Sequence, residues 1–253
     1  MFYRLLYQPL FNLLLWLYDV IPGADLGFAI IAISVLIKLV LWPLTRSTFT
    51  SQKALQQLQP KIEELKEKYK DDKEGLTKAM MQLYKQEKVN PLSSCLPLVI
   101  QMPILFALYA VLQDGLKPES LSHLYTFVSN PGTVNALFLG TVNLADPNIV
   151  MAVIAGALQF LQTKMLMATR PPPALRKKEG AKDEDMLATM NKSMLYVMPL
   201  MTVFIGASLP GGLTLYWIVM NLFTVIQQAF VFRKKTSEKK ETGTSDNGHA
   251  QKI

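Results

Sequence analysis

The stretch Leu26-Gly-Phe-Ala-Ile-Ile-Ala-Ile-Ser-Val-Leu-Ile-Lys38-Leu-Val-Leu-Trp-Pro-Leu44 decides the fold. It is long enough to cross a bilayer, which takes about 20 apolar residues, yet it contains a lysine at position 38. A cation at the centre of such a helix costs at least about 2.5 kcal/mol. Two arrangements offset that cost: the ammonium faces a polar cavity, or its stem carries it out to the interface. Trp42, a natural interface anchor, lies one turn away, roughly 6 Å along a helix axis and within reach of a snorkelling lysine. Both arrangements stay open on these residues alone.

Outward from that stretch the apolar residues come in blocks. Four further candidate spans cover residues 95–113, 149–168, 193–209 and 213–232. The chain has 253 residues, is 50% hydrophobic and carries a net charge of +7. Blocks of this kind predict an all-α polytopic membrane protein with five transmembrane helices, not soluble domains. The first helix is placed at 21–45 and the other four within 93–232. Ahead of them, Phe2, Leu5, Leu6, Pro9, Leu10, Leu13, Leu14 and Leu17 recur at helical spacing within 1–20. They predict an amphipathic helix lying in the interface. No small-residue cleavage site follows, so the segment does not read as a secretory signal.

Charge then orients the chain. Of the 26 Lys and Arg, 22 fall in segments 45–92, 170–192 and 233–253, while the alternate segments 1–25, 114–148 and 209–212 hold only Arg4 and Lys117. This asymmetry predicts an N-terminus outside and a C-terminus in the cytoplasm. Segment 46–92 is long for a connection. Leu55, Leu58, Ile62, Leu65 and Tyr69 form one apolar stripe, Asp71-Asp-Lys-Glu-Gly75 interrupts it, and Leu76, Met80, Leu83 and Tyr84 resume it. A cytoplasmic helical hairpin is expected, bent at Pro60 and ended by Asn90-Pro91. Its mixed charges fit either a solvated spacer or an arm that captures a partner or touches lipid heads.

The spans also carry Gln101, Gln159, Gln162, Thr202, Asn221, Gln227 and Gln228. Buried amides seek partners, so these residues either line a shared polar pocket or hydrogen-bond between helices. No Asp or Glu lies in any span, which weighs against cation-coupled transport. Lys164, near a cytoplasmic end, reads as a snorkeler. Met186, Met190, Met194, Met198 and Met201 form a row suited to packing, lipid contact or a yielding apolar surface. A single Cys95 excludes an internal disulfide, and with His123 and His249 it forms no metal-ligand set. No serine has a histidine within a span to activate it, and no phosphate-binding loop occurs, so neither an enzyme nor a nucleotide cofactor is expected.

Tyr7-Gln-Pro-Leu10, Ile37-Lys-Leu-Val-Leu-Trp-Pro-Leu-Thr45 and Leu58-Gln-Pro-Lys-Ile62 resemble the YidC family of membrane-protein insertases. So do Tyr84-Lys-Gln-Glu-Lys-Val-Asn-Pro-Leu92, Pro97-Leu-Val-Ile-Gln-Met-Pro103 and Pro210-Gly-Gly-Leu-Thr-Leu-Tyr-Trp-Ile-Val-Met-Asn221. The resemblance runs to about Phe232. It implies a five-helix bundle around a hydrophilic groove open to cytoplasm and lipid, closed outside, in the bacterial plasma membrane. The family's groove cation is usually arginine, and Lys38 stands at the matching position, keeping the charge without the bidentate fork. Gln101, Gln159, Gln162 and Trp217 are further groove candidates by their place in the matching spans.

The implied work is insertion and folding of newly made membrane proteins, alone or with the Sec translocon, and without a cofactor. Arg233, Lys234, Lys235, Lys239 and Lys240, in the expected disordered tail 233–253, are candidate contacts for the ribosome or for lipid. Their plain reading is a positive-inside anchor. Two other readings remain on the sequence: a structural chaperone that assembles membrane complexes, and a transporter or channel. The transporter predicts inverted repeats and intramembrane carboxylates, and neither is seen.

Overall fold

A computed structural model describes residues 3–23, 25–70, 72–90, 96–115, 124–168 and 182–245. The described chain is mostly helical. A π-helical segment at Tyr3–Tyr7 leads into α1 (Gln8–Val20), with Pro9 in its first turn. There follow α2 (Leu26–Val40), α3 (Trp42–Gln57), α4 (Gln59–Lys68), α5 (Lys73–Gln86) and α6 (Leu96–Gly115). A two-stranded ribbon, β1 (Leu137–Phe138) and β2 (Val142–Asn143), precedes α7 (Ile149–Ala168), α8 (Lys182–Gly206) and α9 (Gly211–Ser245).

The apolar run 26–44 does not form one straight helix. α2 ends at Val40, and α3 leaves it at an angle of 64°. Pro43 accounts for the break, because it has no N–H to donate back along the helix and its ring disfavours helical backbone just before it. Among the described residues, α7 and α9 are each long and apolar enough to span a bilayer, and the bent pair α2–α3 makes a third if counted as one span. Shorter apolar helical stretches occupy Val99–Asp114 and Leu195–Gly206.

One core joins α1, α2, α6 and α9. Phe11, Leu14 and Leu15 meet Ile30 and Ile33, Leu108 and Val111, and Leu213 and Tyr216, all essentially excluded from solvent. α1 therefore buries one face against α2 and α6 rather than standing apart. α7 packs between α8 and α9. Small residues let these helices approach closely: a Cβ on Gly156 would run into Val203 and stand 3.0 Å from the Pro199 carbonyl.

Residues 124–148 close one end of this bundle. Leu144 is buried, and the backbone N–H groups of Gly211 and Gly212 donate to the carbonyls of Asp146 and Leu144, each at 2.9 Å. Phe138 lies over Gly27 where any side chain would collide with its ring. At the other end, α4 and α5 pack on each other, and Lys61 pairs with Glu87. Asp72 caps α5 by accepting from the Gly75 N–H at 2.8 Å, so the charged interruption in the stripe is shorter than its sequence suggests.

Candidate functional site

α2 turns Ala29, Ile30, Ile33, Ser34 and Lys38 to the inside, at steps that keep one helix face buried. Lys38 is the last of that stripe and only 9% exposed. Its ammonium does not follow Trp42 to the surface. Nζ donates to Thr224 Oγ1 of α9 at 2.8 Å. The Thr224 hydroxyl in turn donates to the Met220 carbonyl one turn back, at 2.7 Å, so its oxygen is held as an acceptor for the cation. Lys38 also sits in the final turn of α2, where free carbonyl ends favour positive charge.

Gln227 and Gln228 follow Thr224 by three and four residues and so share its face of α9. Both are 1% exposed. Among the described residues, both amide atoms of Gln227 and the oxygen of Gln228 have no hydrogen-bond partner. The result is a cation bonded to a hydroxyl, with two buried amides on the neighbouring turn of α9.

The other residues singled out in the sequence divide. Gln101 on α6 donates through Nε2 to the Tyr216 hydroxyl of α9. Trp217, next along α9, is half-buried against the core. Tyr216 and Thr224 are eight residues apart, about 12 Å along a helix, so Gln101 and Lys38 meet α9 at two levels. Gln159 on α7 accepts from Thr202 Oγ1 of α8 at 2.7 Å, which is the interhelical bonding that competes with a pocket role. Gln162, nearly one turn on, leaves its buried oxygen unpaired. Asn221 donates to the Ala155 carbonyl at 3.2 Å and ties α9 to α7.

Lys164 is exposed. α9 includes positions 233–240, but the side chains of Arg233, Lys234, Lys235, Lys239 and Lys240 lie outside the described residues. Cys95, His123 and His249 lie outside them too.

Thr224 is the functional candidate that the sequence analysis does not single out, and Gln227 and Gln228 enter it only as span amides. Their signal is the T-x-x-Q-Q spacing, which puts three polar groups on one turn-and-a-half of an otherwise apolar helix.

The sequence model of the family described as 60Kd inner membrane protein matches residues 16–239. The membrane protein insertase YidC of Fusobacterium nucleatum is 38% identical over 210 residues, covering 83% of this chain and 87% of that protein. The protein of the same name from Tolumonas auensis is 36% identical over 227 residues, 90% of this chain but 36% of its own length. The one from Geobacter sulfurreducens is 33% identical over 239 residues, 94% of this chain and 39% of its length. The chain thus spans most of the first relative and little more than a third of the other two. Among solved structures, an active YidC insertase with its first transmembrane domain resolved superimposes with a TM-score of 0.55 at 25% identity, over 91% of this chain and 46% of that one.

Proposed function

This chain belongs to the YidC family of membrane-protein insertases, the 60Kd inner membrane proteins, and on that premise we propose that it moves hydrophobic segments of newly made proteins from the cytoplasm into the bilayer. The observation that carries the mechanism is Lys38, a buried ammonium whose bonded partner is a hydroxyl. A hydroxyl neutralises none of its charge. The site therefore keeps a positive potential, undiminished at short range, inside an apolar bundle.

In this reading five helices, built on α2, α6, α7, α8 and α9, enclose a groove open to the cytoplasm. The segment 1–20 lies in the interface, and 46–92 is a cytoplasmic hairpin. A client's short outer tail is polar and often acidic, and hydrocarbon resists it. A wet groove reaching partway across shortens the apolar path, and Lys38 attracts the tail's negative charge. Gln101, Gln159, Gln162 and Trp217 would border that path.

The client's hydrophobic segment then leaves between the spans into lipid. Each buried methylene contributes about 0.8 kcal/mol, so a whole span supplies ample driving force without a nucleotide. The charge asymmetry of the loops supports an N-terminus outside and a C-terminus in the cytoplasm of a bacterium. The basic positions 233–240 would meet the ribosome or lipid heads, and work beside the Sec translocon is compatible with the same groove.

The test is reconstitution. Liposomes holding only this protein should protect the outer tail of a small single-span client from external protease, above the level of empty liposomes. If protein-bearing and empty liposomes score alike, autonomous insertion is wrong and assistance to other assemblies takes its place.

A further inference from the structure

Burying an amide without a partner is costly, because the group gives up water and gains nothing in return. Among the described residues, Gln52, Gln162, Gln227 and Gln228 each leave a buried oxygen unpaired, whereas only Gln227 leaves a buried nitrogen unpaired. On the face of α9 that also holds Thr224, the free set is two acceptor oxygens and one amide nitrogen. A carboxylate brings no donor and would meet two oxygens there. An extended main chain turns one residue's N–H and carbonyl to the same side, which suits an acceptor flanked by a donor.

We propose that Gln227 and Gln228, one turn from the Lys38–Thr224 contact, form a binding station for neutral peptide groups that receives the main chain of a client's polar segment. This rests on the insertion reading above and divides the work within it. Lys38 recognises acidic side chains, which only some clients carry. The amides recognise the peptide unit, which every residue of every client carries. A station of that kind supports the tail while it is stripped of water and does so without regard to its sequence.

The experiment uses the full chain in liposomes and two single-span clients. One has an acidic outer tail; the other has the same tail with each Asp and Glu replaced by Asn and Gln. Insertion is scored as the rate in excess of empty liposomes. Replacing an unpaired buried amide by an apolar side chain of similar size is close to neutral for folding, so the double variant Gln227→Leu with Gln228→Leu should remain intact. It is expected to insert both clients about tenfold more slowly, the effect of one or two lost hydrogen bonds on a rate. Lys38→Gln is expected to slow the acidic client alone. Gln227→Asn with Gln228→Asn keeps the amides and should recover most of the rate.

Wild-type rates for both clients in the double leucine variant would mean that these amides merely hold water, and the station would be overturned while insertion stood. Slowing of the acidic client alone would assign the amides to the carboxylate and equally overturn it. Failure of the unaltered protein to insert either client would remove the insertion reading, and the station with it.

Discussion

Lys38 and Thr224 form a unit in which each residue makes sense of the other. The threonine is an acceptor because its own proton is committed to Met220, and the lysine tolerates burial because that acceptor awaits it. Thr224→Val keeps the shape and removes the oxygen. Hydrogen bonds to charged groups are worth about 1.5–3 kcal/mol, so the variant should unfold earlier in detergent by a clear drop in Tm. Lys38→Met should restore much of that loss in the double variant, since the buried charge is then gone. Additive losses would show that the two side chains do not interact. Nothing about Lys38 in isolation reveals this contact. The residues stand 186 positions apart in the sequence, and a lysine in an apolar run is equally compatible with reaching the surface beside Trp42.

At the scale of elements, the apolar blocks and their periodicity made the helices legible, while their directions were not. Hydropathy of 26–44 reports that the run avoids water, and Pro43 alone carries the information that it turns through 64°. The segment 124–148 was opaque for another reason: its partners are far away in sequence. Asp25 shows how it is held. One carboxylate oxygen caps α2 by accepting from the Gly27 N–H at 2.7 Å, and the other accepts from the Leu139 N–H at 2.8 Å. Leu139 itself has a φ of 51°, a left-handed backbone that costs a leucine about 1 kcal/mol.

Two outcomes follow for this corner. Asp25→Ala should lower stability by about 1 kcal/mol through the cap alone, with a further loss from the freed loop. Leu139→Gly should leave stability unchanged or raise it, because glycine adopts that φ freely and the lost side chain is mostly exposed. Both are read as Tm shifts in the same detergent, and a destabilised Leu139→Gly would show that the leucine side chain, not the backbone, holds the turn.

A contact between the N-terminal segment and α6 responds to pH. Tyr7 donates from its hydroxyl to Asp114 at 2.9 Å, and burial first, then that carboxylate, push its phenol well above the ordinary 10.0. A raised acid pKa means the neutral form is stabilised by folding. That contribution is complete below about pH 10 and is lost as pH rises through the folded value. Tyr7 should contribute to the late-ionising part of a spectroscopic tyrosine titration, and Tyr7→Phe should reduce that part by one group.

For the whole molecule, charge distribution carries the orientation, and it is testable without any client. In a Cys95→Ala background, a cysteine at Leu139 should react with a membrane-impermeant maleimide from outside intact cells. One at Lys78 should react only after the membrane is opened. The reverse pattern would invert the topology and contradict the proposed insertion from the cytoplasm. The T-x-x-Q-Q face shows the limit of composition at this scale. The same polar residues that read as scattered interhelical bonds become, once α2 and α9 are packed, a cation with two amides beside it, whereas Gln159 is occupied by Thr202.

The most direct measurement is insertion of a client with an acidic outer tail into liposomes holding wild type, Lys38→Ala or Lys38→Arg, with protease protection of the tail as the readout. The charge mechanism predicts that wild type and Lys38→Arg protect the tail and that Lys38→Ala falls to the level of empty liposomes. Protection by Lys38→Ala equal to that of wild type would contradict it, leaving Lys38 as a buried structural lysine held by Thr224.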